Sequence, residues 1–352
     1  SLGLVGSEMC IRDRLGTDPA LRHWGSKAGS RELFARCGLP HPDGSALVHQ
    51  LEDLAEVAAE LWERNPHLRR CVVKLNEGIS GEGNAPLELA PLALSERSGA
   101  ERRRVLRQAL DTLPMPSPQW RELLGQQGAL VEAWLEGGDA LTSPSVQGLI
   151  HPGGRVEVIS THEQILGGPS GQTYLGCAFP AADAYRVELM RMGEAIGQAL
   201  AAEGALERFA VDVLARRFGD RWDLQAIEIN LRQGGTTHPM MALRAITTGA
   251  LDPATGLFLS PTGQPLYYCA TDNFTDPDLR GLLPMDLIDI VAEADLHYDQ
   301  ARLRGSVFHL LGCLSEYGKL GMTCVGRSNA EARAVYDATA SELVKGGRAR
   351  HG

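Results

Sequence analysis

No stretch of this chain runs apolar for the ~18 to 20 residues that a helix needs to cross a bilayer, which argues against a helical membrane span. Its seven cysteines are scattered and form no C-x-x-C pair, so neither a disulfide framework nor a zinc pattern is expected. Positive charge is in deficit. A net charge of −10 argues against non-specific nucleic-acid binding, which needs a basic surface. Neither G-x-x-x-x-G-K-[ST] nor G-x-G-x-x-G occurs, which removes the P-loop and the dinucleotide fold. H-R-D and D-F-G are also missing, which removes the protein kinases. There are no internal repeats. At 352 residues the chain can hold two or three subdomains with their own cores, as in a cytoplasmic enzyme without membrane or nucleic-acid partners.

What is present centres on Phe209-Ala-Val-Asp212 and Glu228-Ile-Asn230-Leu-Arg232. Each lies in a β-type run, Arg208 to Leu214 and Trp222 to Ile229, separated by the turn-rich Arg217 to Asp220. Alternation along a strand puts Glu228, Asn230 and Arg232 on one side. An antiparallel hairpin then brings Asp212 beside Glu228. Carboxylates and an amide oxygen without Cys or His suit a hard cation such as Mg²⁺, whose remaining positions phosphate oxygens commonly fill. The site reads as Mg-nucleotide, although an amphipathic hairpin can carry the same letters by chance.

Upstream, Arg70-Cys-Val-Val-Lys74 is a β-branched strand bearing one lysine, followed by a turn containing Gly78, Ser80, Gly81 and Gly83. Glycines let backbone N–H groups approach phosphates. Read by itself, the segment is equally a tight hairpin turn. A third piece runs from Ala129 through Glu132, Trp134, Leu135 and Glu136 to Gly137-Gly138. Its end can offer backbone groups to a purine edge and Glu136 to ribose hydroxyls, or it is an ordinary core strand. Ser26 and Gly38 bracket a helix as N-cap and C′ residue. Lys27 in its first turn opposes the macrodipole, a conflict that a bound phosphate would relieve.

The segment Gly234-Gly235-Thr236-Thr237-His238-Pro239 predicts a helix from Met240 to Thr248, with His238 as N-cap and Pro239 at its first position. Glycines and threonines ahead of a helix make an anion site, here for a substrate carboxylate or its acyl phosphate, with His238 either a general base for the amine or a capping or packed residue. Ser143 to Ile150 and Val156 to Glu163 read as a hairpin around His151 to Gly154. Leu166 to Gly176 reads as a lid loop. Leu189, Met192, Ile196 and Leu200 mark the core face of a helix ending at Gly204. Leu113 to Pro118 reads as a short stiff linker.

In order and spacing, these pieces resemble the ATP-grasp superfamily of carboxylate–amine ligases. The Arg232-Gln-Gly-Gly-Thr-Thr-His-Pro239 continuation and the tail from Gly305 to Leu343 are similar to the pheganomycin-type peptide ligases. The resemblance implies an α/β (α+β) fold in which two subdomains clamp ATP between antiparallel sheets, with a small C-terminal α/β extension. It implies that Lys27 and Lys74 hold the α- and β-phosphates and that Gly78 to Gly83 cover the triphosphate. Glu132 to Glu136 would form the hinge at the nucleotide, and Asp212, Glu228 and Asn230 would hold Mg²⁺. Arg232 would stabilise the transferring phosphoryl group. The implied reaction joins a carboxylate to an amine through an acyl phosphate, releasing ADP. Kinase-like or thioester-forming chemistry on the same fold, or a non-catalytic ATP-binding module, are the alternatives.

The expected organisation is a helical remnant over 15–68, an N-terminal lobe over 69–136, a metal-bearing lobe over 137–250 and a small domain over 251–352. Residues 1–14 resemble a translated sequencing-adaptor tract. On that reading the native sequence starts near Leu15, and the pre-ATP-grasp domain of the resembled family is absent.

Overall fold

Alternation in Arg70-Cys-Val-Val-Lys-Leu75 sends Cys71, Val73 and Leu75 to one face of a strand and Val72 and Lys74 to the other. This is β1 of the computed structural model, in which residues 16–77, 83–114, 119–137, 140–167 and 173–351 are described. Outside them lie the 1–14 tract, Gly78, Ser80 and Gly81 of the expected phosphate turn, the linker centre 115–118, Gly138 and the lid segment 168–172. Strands β2 (Asn84–Glu88) and β3 (Ala129–Ala133) flank β1, both antiparallel to it. Helices Leu51–Arg64, Gly99–Asp111 and Trp120–Gln127 cover the inner face. Leu54, Ala58 and Leu61, one face of the first, pack with Leu106, Leu110 and Leu124 against Cys71 and Val73.

A second, larger sheet starts with β4 (Leu141–Thr142), β5 (Pro144–Ile150), β6 (Val156–Gly167), β7 (Thr173–Phe179), β8 (Glu207–Phe218) and β9 (Arg221–Asn230). The expected hairpin about His151 to Gly154 joins β5 to β6. Helix Arg186–Ala202 lies on this sheet and buries Leu189, Met192, Ile196 and Leu200. Each such side chain contributes roughly 1.5–3 kcal/mol of transfer free energy. Helix Lys27–Arg36 packs on the same core through Leu33 and Phe34. Its ends are as the sequence reads: Ser26 Oγ accepts from Gly29 N at 3.1 Å, and Gly38 has φ +64°.

The tail adds β10 (Ala250–Leu251), β11 (Phe258–Leu259), β12 (Pro265–Thr275), β13 (Gly305–His309) and β14 (Lys319–Gly326). They do not form a sheet of their own. Tyr268 to Ala270 of β12 pair with Cys177 to Phe179 of β7, so the large sheet crosses the boundary expected near residue 250. Helices Pro284–Glu293 and Asn329–His351 close the far core over Leu320, Met322 and Cys324. No helix among the described residues is long and apolar enough to cross a membrane.

One helix starts earlier than its sequence suggests. Thr236 is the N-cap and the helix runs Thr237–Thr247, which puts Pro239 inside the first turn and leaves His238 without the capping role. The turn is fixed upstream of the proline: Gly234 N donates to Thr237 Oγ1 at 3.0 Å, and Thr237 Oγ1 donates to Gln147 Oε1 at 3.0 Å.

Candidate active site

Between the two sheets lies a cleft of about 600 Å³. Its first wall is Val72 and Lys74 of β1 with Glu132 to Leu135 at the end of β3. Its second is Ala210, Asp212 and Leu214 of β8 with Ile227, Glu228 and Asn230 of β9. Arg232, Gly234, Gly235 and Thr236 continue that wall.

The carboxylates reach the cleft through an irregularity. Along β8, Phe209, Val211, Val213 and Ala215 face the core without a break. Along β9, Leu224 and Ala226 face the core, but so does Ile229, three residues on. The switch of parity is a β-bulge: Val213 stands opposite Ala226 and Asp212 opposite Glu228, leaving Ile227 unmatched. In a regular ladder that included Ile227, Glu228 and Asn230 would follow Leu224 and Ala226 into the core.

The metal trio expected from the sequence is assembled. Asp212 accepts from Asn230 Nδ2 at 3.0 Å and from Gln164 Nε2 at 2.5 Å. Burial, and then the facing Glu228 carboxylate, push the Asp212 carboxyl up to about 6, against the two amides and Arg232. Glu228 is held by Lys27, Nζ to Oε1 3.2 Å. Lys27 is buried and does not line the cleft itself. The donor set fits Mg²⁺ carried largely by phosphate: two carboxylates, an amide oxygen, and no grouping of three or more His, Cys, Asp or Glu among the described residues. A divalent cation would remove the repulsion that Asp212 and Glu228 exert on each other.

On the opposite wall, Lys74 Nζ donates to Glu132 Oε2 at 2.5 Å, and Arg31 Nη1 donates to Glu132 Oε1 at 3.2 Å. Burial would raise the Glu132 carboxyl, but the two cations more than offset it and hold it below the usual range. Trp134 and Leu135 line the cleft. Glu136 does not: it is half exposed and paired with Arg70, whose guanidinium also lies over the Trp134 ring. Gly83, at φ +90°, is the described remainder of the glycine turn.

The glycine–threonine wall is a packed structure. The Tyr174 ring sits where a Gly235 side chain would begin, 2.6 Å from that position. Thr237 and His238 do not line the cleft. Thr237 is buried against Gln147, while the His238 ring stacks on His309 of β13 with centroids 3.9 Å apart. Arg232 is exposed, its Nη1 donating to Gln233 O at 3.2 Å.

Sequence reasoning missed Arg31, Ser145, Gln164, Tyr174 and Asp272. Ser145 stands opposite Asp212 on β5, is 2% exposed, lines the cleft, and its Oγ has no hydrogen-bond partner among the described residues. A lone hydroxyl in an otherwise buried strand was the available signal.

Comparisons with known proteins agree with this architecture. A family described as "PGM1 C-terminal domain" matches residues 286–339, and one described as "IQCH-like, ATP-grasp" matches residues 19–113. An L-propargylglycine–L-glutamate ligase of Streptantibioticus cattleyicolor is 31% identical over 335 residues, 94% of this chain and 66% of that protein. An IQ motif-containing protein H of Danio rerio is 24% identical over 71% of this chain and 26% of its own length. The chain thus spans just under two thirds of the first relative and about a quarter of the second. Among solved structures, the biotin carboxylase domain of the Hydrogenobacter thermophilus 2-oxoglutarate carboxylase, in complex with MgADP, ADP and bicarbonate, superposes with TM-score 0.61 at 15% identity. The match covers 92% of this chain and 67% of that one. An ADP complex of N5-carboxyaminoimidazole ribonucleotide synthetase gives 0.52 at 15% identity, over 91% and 71%.

Proposed function

The chain belongs to the ATP-grasp superfamily, and on that premise we propose that it is an ATP- and Mg²⁺-dependent ligase joining the carboxylate of an amino acid or peptide to an amine. The observation that carries this reading is the convergence on one cleft of Lys74 from the first sheet with Asp212, Glu228, Asn230 and Arg232 from the second. In the proposed reaction a carboxylate oxygen attacks the γ-phosphorus and ADP leaves. The amine nitrogen then attacks the acyl carbon and phosphate leaves. Phosphoryl transfer asks the protein mainly for position and charge.

Each residue has a task its surroundings suit. Lys74, turning from Glu132, binds phosphate, with Lys27 contributing through Glu228. Trp134 and Leu135 flank the base. Asp212, Glu228 and Asn230 hold Mg²⁺, which neutralises phosphate charge when bound. Arg232 meets the transferring phosphoryl group, and Gly234 to Thr236 face the acyl end. In this scheme residues 69–136 and 137–250 are the two lobes, and 251–352 complete the acyl side. Small-molecule chemistry driven by ATP belongs in the cytoplasm, the compartment proposed here.

Calorimetry of ATP binding in Mg²⁺, with Lys74→Ala and Glu228→Ala alongside, tests the reading. Binding by the unsubstituted chain that both substitutions remove is the expected result. A folded chain that binds no nucleotide would sink it.

A further inference from the structure

Among the described residues, four acidic side chains line the cleft: Glu132, Asp212, Glu228 and Asp272. Three are spoken for. Glu132 holds Lys74 and Arg31, Glu228 holds Lys27, and Asp212 accepts from two amides. The half-buried Asp272 carboxylate has no hydrogen bond or ion pair among the described residues. It is also the one that the C-terminal extension contributes, from β12.

Its position is built by the chain. Asp272 and Asn273 together stand opposite the single Gly321 of β14, so β12 bulges at the cleft. Thr271 Oγ1 donates to Leu175 O at 2.6 Å, tying this bulge to β7 beside Tyr174. Tyr174 in turn packs on Gly235. Asp272 is therefore at the Gly234–Thr236 end of the cleft, the acyl end. It is not a third metal carboxylate, because no group of three acids or other ligands with a metal-holding arrangement exists among the described residues.

A carboxylate without a counter-charge in a partly desolvated cleft favours a cation. In an amide-forming reaction the carboxylate, the nucleotide and the acyl phosphate are all anionic, and the amine arrives as an ammonium ion. We propose that Asp272 binds the ammonium group of an amino-acid amine substrate, accepts one of its protons, and so presents the neutral amine nitrogen to the activated carboxyl at the Gly234–Thr236 wall, the second proton leaving with the departing phosphate. This rests on the ligase reading above. The C-terminal extension is then part of the acceptor site, and Asp272 is a specificity-determining residue for cationic amines.

The test compares two nucleophiles in the full chain carrying Asp272→Asn, an isosteric change that removes only the charge. Hydroxylamine is uncharged at neutral pH and small, so it can trap the activated carboxyl without an anionic anchor. L-Glutamate, offered as the amine, arrives as an ammonium ion. Carboxylate donors are the proteinogenic amino acids and L-propargylglycine. Expected is a rise of about 10- to 100-fold in the ratio of hydroxamate to amide, with the amine KM raised by a similar factor. Asp272→Glu should recover much of the amine KM and serves alone if the Asn variant fails to fold. An unchanged ratio, or equal loss of both products, overturns the proposal while ADP release by the unsubstituted chain keeps the ligase reading. No ADP and no hydroxamate from the unsubstituted chain overturns both.

Discussion

Lys74 Nζ lies 2.5 Å from Glu132 Oε2, and both side chains are buried in the wall that faces β8 and β9. With Arg31 on the second oxygen, one carboxylate balances two cations. Glu132→Ala would leave both cations buried without a counter-charge, at a cost of about 3–5 kcal/mol. Lys74→Met leaves the Arg31–Glu132 pair in place and should cost clearly less. Urea unfolding of the two variants checks the order; equal losses would mean that Arg31 gives no compensation.

The Asp212 carboxyl, pushed up to about 6 by burial and by Glu228, must be ionised to hold a cation. Mg²⁺ affinity should therefore be flat between pH 7 and 8 and fall by about tenfold per pH unit well below pH 6. Mg²⁺ titration followed by nucleotide binding, at a series of pH values, measures this. A dependence centred near pH 4 would contradict the environment described for Asp212.

His162 is fully buried against Tyr268, and burial lowers its imidazole to about 3. Burial, and then His238, lower His309 to about 4. Both values lie below the ordinary 6.5, so between them and 6.5 the unfolded chain takes up protons that the folded chain refuses. Their contribution to stability is complete above pH 6.5 and is lost as pH falls through 4 and then 3. Thermal melts should show the decline, and His309→Phe, which keeps a ring on His238, should flatten its upper part. A melt profile unaffected by that substitution would contradict the assignment.

Arg232 is exposed and makes only a backbone contact with its neighbour among the described residues. Arg232→Ala should leave the melting temperature within error and lower the ligase rate by about 10²- to 10³-fold, the usual loss for one stabiliser of transition-state charge. Single-turnover ADP release reads the effect. An unchanged rate would remove Arg232 from the proposed mechanism.

Where a local rule decides, the sequence was sufficient. Ser26 and Gly38 set the ends of their helix, alternation in β1 put Lys74 on the cleft face, and the hairpin spacing brought Asp212 opposite Glu228. Long-range features were not visible. Arg31 and Glu132 lie 101 residues apart, and no local pattern announces a buried ion pair. The start of the helix at Thr237 depends on Gln147, ninety residues away, which is why the proline at 239 misled the capping argument. Asp272 is an ordinary polar residue in a strand until β12 is seen to join β7.

Ile227 is the residue that the hairpin absorbs without losing its frame. A strand that paired Ala226, Ile227 and Glu228 one for one would turn Glu228 and Asn230 toward the helix-covered core and send Ile229 out into the cleft. The bulge leaves Ile227 unpaired, so Glu228 stays opposite Asp212. Deleting Ile227 would keep that facing, with Glu228 following Ala226 in a regular ladder. What the site depends on is the pairing: a change that drew Ile227 into the ladder would strand two polar groups among apolar side chains.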